Sequence, residues 1–138
     1  FTNVRPITKS MLGWWAFSDK TQKLLPWDTV IEIEHIYARK RNETSPLKNQ
    51  SNLEALGNKA ILEKRVNIRA SDYRFEDKKK HYLGYQTSKG QLKDGTDVHE
   101  LVELANNCGD FSEADIEART SKIIDSFMDY LGSVNLLK

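Results

Sequence analysis

The chain has 138 residues, of which 38% are hydrophobic and 30% charged, and its net charge is +1. This suits one domain around one core and excludes a disordered chain; no apolar run approaches the ~18 residues that a membrane helix needs, and the N-terminal residues do not read as a signal peptide. With so little net charge, a nucleic-acid contact has to come from where the cations cluster.

In chain order, Ile7, Met11, Leu12, Trp15 and Phe17 recur at helical spacing after Pro6, which suits a helix start. Trp14 and Trp15 are expected to pack inward, because bulky apolar groups at this spacing face a core. Residues 29–37, TVIEIEHIY, alternate and are rich in β-branched types, which predicts a strand. Residues 41–52 carry loop chemistry. Ala60-Ile61-Leu62 reads as a second, short strand. From about Val66 one helix is predicted up to Gly84, with Val66, Ala70, Tyr73 and Asp77 on one face. Residues 86–97 read as a loop and 99–107 as a short helix.

A last helix is announced by Ser112 and Asp115 as a capping box and by Phe111 and Ile116 as a hydrophobic staple. Its predicted apolar stripe is Ile116, Thr120, Ile123, Ile124, Phe127 and Leu131. Cys108 is the only cysteine. A buried free thiol is expected, in a reducing, cytoplasmic setting. The order of elements predicts an α+β fold with few strands. The start at Phe1, without methionine, is what a fragment of a longer protein would show.

The chemistry concentrates where the first strand gives out. Glu34 and His35 stand side by side there, followed by Arg39-Lys40-Arg41. A neutral imidazole can take a proton from water, and a carboxylate is a hard ligand for Mg²⁺ or Mn²⁺. Neighbours on a regular strand point to opposite faces, so both serve one site only if the strand bends. Asn58 after Gly57 reads by itself as a turn asparagine, and Asn67 as a helix cap.

The ordered set Glu34-His35-Ile36, Leu56-Gly57-Asn58, Ile61-Leu62, Asn67, Ser71, Phe75 and Lys78 resembles the HNH (His-Me finger) nucleases. More narrowly, it is similar to the C-terminal nuclease domain of GmrSD-like modification-dependent restriction endonucleases, over roughly residues 31–80. Two positions depart from that pattern: Ala38 stands where a proline is frequent, and Asp72 where an asparagine is.

The resemblance implies a ββα-metal core at about 29–83 inside a mainly helical domain spanning 1–138, with helical scaffold at 7–25 and 99–137. It implies metal-dependent hydrolysis of DNA. Glu34 and Asn67 would hold Mg²⁺ or Mn²⁺, with Ser71 or Asp72 as further contacts. His35 would be the general base, and Asn58 would orient it or pin its loop. Arg39, Lys40, Arg41 and Lys78 would meet phosphates, while Lys79, Lys80 and His99 read as surface. His81 lies ~20 Å beyond Asn67 if the helix is continuous, too far to share a metal. The resemblance further implies modified cytosines as the trigger and an N-terminal NTP-dependent domain elsewhere in the protein. Two other readings compete: a non-catalytic DNA-binding module that keeps the HNH frame, against which the retained histidine speaks, and a partner-binding helical domain with Trp14 and Trp15 exposed.

Overall fold

The computed structural model describes residues 5–70 and 74–134. Two antiparallel strands carry the centre, β1 (Ile31–His35) and β2 (Lys59–Glu63). Their register pairs Ile33 with Ile61, Glu34 with Ala60 and His35 with Lys59. Alternation therefore puts Glu32 and Glu34 on one face with Ala60 and Leu62, and His35 on the other with Lys59 and Ile61. Helix α3 (Lys64–Ala70) follows β2 directly, which completes a β-β-α unit. The fold is α+β, with this unit surrounded by helices. Among the described residues, no helix is long and apolar enough to cross a membrane.

Helix α1 (Arg5–Phe17) buries Met11, Leu12 and Ala16, while Ile7 and Phe17 at its ends stay exposed. Trp14 and Trp15 are half-buried: Trp14 meets the ring of Phe127 edge-on at 5.1 Å, and the Trp15 indole N–H donates to Glu100 at 2.5 Å. They bind helices together, which counts against an exposed aromatic patch at these positions.

Three local expectations are corrected. The basic triplet lies on a short helix, α2 (Arg39–Thr44), instead of at the start of a loop. It carries no capping side chain and no acid in its first turn, so nothing local announces it. The predicted long helix is two helices, α3 and α4 (Phe75–Leu83), separated by an extended Arg74. The break lets Phe75, Lys78 and Tyr82, at spacings of three and four, bury one stripe of α4. Ser71, Asp72 and Tyr73 lie outside the described residues. The stretch 86–97, expected as a loop, instead takes part in a hairpin of β3 (Gly84–Gln86) and β4 (Leu92–Asp94). Gly84 ends α4 with φ +91, a conformation open to glycine.

The C-terminal half follows its sequence signals. Helix α5 spans His99–Asn107 and α6 spans Glu113–Ser133, the latter with both bonds of the Ser112–Asp115 capping box. Phe111, Ile116 and Ile123 are buried, but Ile124 is 41% exposed, so the apolar stripe is narrower than its composition suggests. Cys108 is half-buried, with its thiol pushed up mainly by burial.

Helix α6 holds the β-β-α unit through a short 3-10 helix, Leu56–Asn58. The Gly57 N–H donates to Thr120 Oγ1 at 2.8 Å, and Arg119 donates to the carbonyls of Leu56, Gly57 and Lys59. A Cβ on Gly57 would stand 2.0 Å from the Ile116 carbonyl oxygen. Gly57→Ala is therefore expected to cost about 3 kcal/mol, because helix backbone cannot yield as a side chain does. Urea denaturation would read it as a lower midpoint at unchanged slope.

Candidate active site

The end of β1 is shaped by Asn58, which is fully buried. Its Oδ1 accepts from Tyr37 N–H at 2.6 Å, and its Nδ2 donates to Tyr37 O at 3.1 Å and Leu53 O at 2.9 Å. The amide thus replaces a strand neighbour for Tyr37 and ties the 50–54 segment to it. Nothing but an asparagine or glutamine side chain offers both a donor and an acceptor in this form. The chain leaves the sheet at a fixed point, two residues beyond His35.

His35 occupies the other face from Glu34. Its side chain is 18% exposed, and its Nε2 lies 2.5 Å from Glu54 Oε2. Glu54 closes a 3-10 helix, Gln50–Glu54. Its other oxygen lies 3.2 Å from Arg39 and 3.7 Å from Lys59 Nζ. Burial pushes the imidazole below its ordinary value; the Glu54 carboxylate opposes that shift. The Glu54 carboxyl is itself held low, with the bond to His35 and the charges of His35, Lys59 and Arg39 outweighing partial burial. This is a neutral imidazole backed by an ionised carboxylate, an arrangement able to accept a proton from water. Glu54 and Lys59 escape a sequence reading because Glu54 is 19 residues from His35 and Lys59 comes opposite His35 only through strand pairing.

Glu34 is placed differently from the expectation. It is 2% exposed, and its Oε2 accepts from Lys78 Nζ at 2.9 Å and Tyr82 O–H at 2.7 Å. Burial pushes its carboxyl up, and the Lys78 ammonium pulls the other way. A divalent ion at Glu34 would have to stand beside that ammonium, and like charges at such range repel strongly. Asn67 donates its amide to Glu32 Oε1 at 3.1 Å. As arranged, then, Glu34 and Asn67 do not fit a metal.

Lys78 also corrects its expected role. It is fully buried, bonded to Glu34 and to the His35 carbonyl at 2.8 Å, and cannot reach a phosphate from there. Of the basic triplet, Arg39 and Lys40 are exposed, whereas Arg41 is held by Asp110 at 2.8 Å and lies over the Tyr37 ring. Lys40, Arg41 and Arg74 line a cleft of about 600 Å³, together with the acids Glu76 and Asp110. Lys79 is half-buried with its ammonium on the Cys108 and Gly109 carbonyls, and Lys80 is exposed. His81, which the broken helix removes from any simple axial distance to Asn67, is buried against the Tyr85 ring at 4.8 Å.

A different cluster has the donor set of a metal site. Asp19, His99 and Glu103 present one carboxylate oxygen, one imidazole nitrogen and a second carboxylate oxygen, all within 4.8 Å of one another. His99, expected as surface, is half-buried, with Nδ1 2.7 Å from Asp19 and 2.8 Å from Thr21 Oγ1. The bonds from Thr21 and His99 hold the Asp19 carboxyl down at about 2, and Asp19 raises His99. Two hard oxygens and one nitrogen are chemically able to coordinate a divalent metal. Asp19 stands 80 positions before His99 and only the step from His99 to Glu103 is local, so no spacing in the sequence marks the set of three.

No curated protein and no solved structure matches the chain. The family model for the C-terminal domain of GmrSD restriction endonucleases matches residues 8–126. That span includes the β-β-α unit, the His35–Glu54 pair and most of α6. The chain belongs to this family and is an HNH-type nuclease domain.

Proposed function

We propose that the domain hydrolyses phosphodiester bonds of DNA, with neutral His35 taking the proton from the attacking water. The observation that carries this is the His35–Glu54 pair: a partly exposed imidazole, held at the end of β1 and kept neutral by burial. The water O–H bond breaks as the N–H bond forms, the hydroxide oxygen bonds to phosphorus, and the P–O bond to the 3′ oxygen breaks, that oxygen leaving as an alkoxide that takes a proton from solvent. Asn58 keeps the strand end in place during this step but touches only the backbone of Tyr37 and Leu53. Arg39 is 62% exposed and shares Glu54 with the base. An exposed ion pair contributes only about 0–1 kcal/mol, so Arg39 can exchange Glu54 for a phosphate next to the scissile bond. Lys40 and Arg41 would position the backbone along the cleft without reading sequence.

For the metal, Asp19, His99 and Glu103 are the residues whose donors fit. A divalent ion held there would supply Lewis-acid chemistry. The imidazole in the set favours Mn²⁺ over Mg²⁺, which prefers oxygen throughout. Because Asp19 raises His99, protons compete with the ion as pH falls. An NTP-dependent N-terminal domain, modified cytosine as trigger and a cytoplasmic setting complete the proposal; they rest on the family resemblance and, for the last, on the lone cysteine.

Supercoiled plasmid incubated with the domain is expected to be nicked with Mn²⁺, more slowly with Mg²⁺, and not at all in EDTA. Undiminished nicking in EDTA would overturn the metal dependence. Plasmid binding with no nicking in any metal would favour the non-catalytic DNA-binding module.

A further inference from the structure

We infer that Glu54 is the positioning residue for the base: it holds His35 with the proton on Nε2, so that Nδ1 is the atom that receives the proton from water. The inference rests on the reading of His35 as the base. Three features of the structure lead to it.

The first is the contact itself. Glu54 Oε2 and His35 Nε2 are 2.5 Å apart. An ionised carboxylate only accepts, so the nitrogen facing it has to be the donor. A neutral imidazole carries one N–H, and placing it on Nε2 leaves the lone pair on Nδ1. Among the described residues, Nδ1 has no hydrogen-bond partner.

The second is that Glu54 is itself oriented. Arg39 and Lys59 both lie against Oε1, at 3.2 and 3.7 Å, while His35 takes Oε2. The bond to His35 and the nearby cations keep the carboxylate ionised, and Lys59 stays by Oε1 when Arg39 turns to a phosphate, which leaves Oε2 to face the ring. Lys59 is 5% exposed and is the ladder partner of His35, so the cation is delivered by the same sheet that delivers the base.

The third is that one side chain fixes the backbone on both sides of the pair. Asn58 bonds Tyr37, two residues past His35, and Leu53, the residue before Glu54. The asparagine thus reaches the base through the carboxylate segment as well as through the strand. When His35 gains its proton, the imidazolium stays paired with Glu54, which favours the charged product of the step.

Histidine ¹⁵N spectra of the labelled wild-type domain test this directly. The chain has three histidines, and His35→Ala identifies the signal of interest. His35 is expected as the Nε2–H tautomer at pH 7.5. Glu54→Ala is expected to mix the tautomers and to slow plasmid nicking by about ten- to a hundredfold, the range for partners that orient an imidazole. Glu54→Gln keeps an acceptor and should retain the Nε2–H tautomer and most of the rate. An Nδ1–H tautomer in the wild type would overturn the inference even if Glu54→Ala failed to fold. So would a tautomer unchanged by Glu54→Ala. Neither result touches His35 as base; that reading falls if His35→Ala still nicks, whatever the tautomer.

Discussion

His35→Ala is expected to lower the rate of plasmid nicking by about a hundred- to ten-thousandfold, the span that a general base contributes. The loss should fall on the rate at saturating DNA, because the proposed role of His35 is in the proton transfer, and DNA contact is proposed for Arg39, Lys40 and Arg41. Stability should change little. The ring has 18% of its surface exposed and Glu54 36%, so water can replace the lost partner and the net cost is about 1 kcal/mol. A rate loss with an unchanged melting curve separates the base from a packing residue. Equal losses in both would assign His35 to the scaffold.

The largest stability effect is expected at Lys78→Met. Lys78 has no exposed surface and lies between Glu34, Tyr82's partner, and the His35 carbonyl. Removing the ammonium leaves a carboxylate with 2% exposure and a single hydroxyl donor from a side chain. Breaking a buried pair this way costs about 3–5 kcal/mol, a large part of the ~5–15 kcal/mol that holds a domain. The sign with pH follows from Glu34. Burial already raises its carboxyl, and without Lys78 that carboxyl rises further. The penalty belongs to the ionised form, so it is present above the folded value and shrinks as pH falls through it. Lys78→Met should therefore be less damaging at pH 5 than at pH 8. Adding Glu34→Gln removes the stranded charge and should recover much of the loss. Urea denaturation of the two single variants and the double variant at both pH values decides this. No recovery in the double variant would mean that Lys78 acts by packing alone.

The parts of the fold legible in the sequence are those set by local rules. The capping box at Ser112 and Asp115 starts α6 where expected, because both of its bonds lie within four residues. The alternation of IEIEH gives β1 because its β-branched residues favour extended chain, although the strand's one buried position is an acid, Glu34. What escaped is tertiary. Lysine is almost never buried without a partner, so Lys78 reads as surface until Glu34, 44 residues earlier, is brought against it. The same separation problem hides Glu54 from His35 and Asp19 from His99. Helix α2 and the β3–β4 hairpin are short and polar, with no periodicity of their own. The Asn58 clamp lay between these cases: the residue and the idea of a pinned loop follow from the motif, but its partners Tyr37 and Leu53 come only from the fold.

A single-turnover pH–rate profile of plasmid nicking in Mn²⁺ tests the central claim, a neutral His35 as base. Burial holds the imidazole below its ordinary value of about 6.5. The base form therefore persists to lower pH than a free imidazole, and the rate should fall along one acid limb whose midpoint lies below 6.5. The same depression means that neutral His35 adds stability above its unfolded value, lost as pH falls through the folded one. That limb should be missing from the residual rate of His35→Ala. The same limb in both proteins, or a rate that rises as pH falls, would contradict His35 as the base.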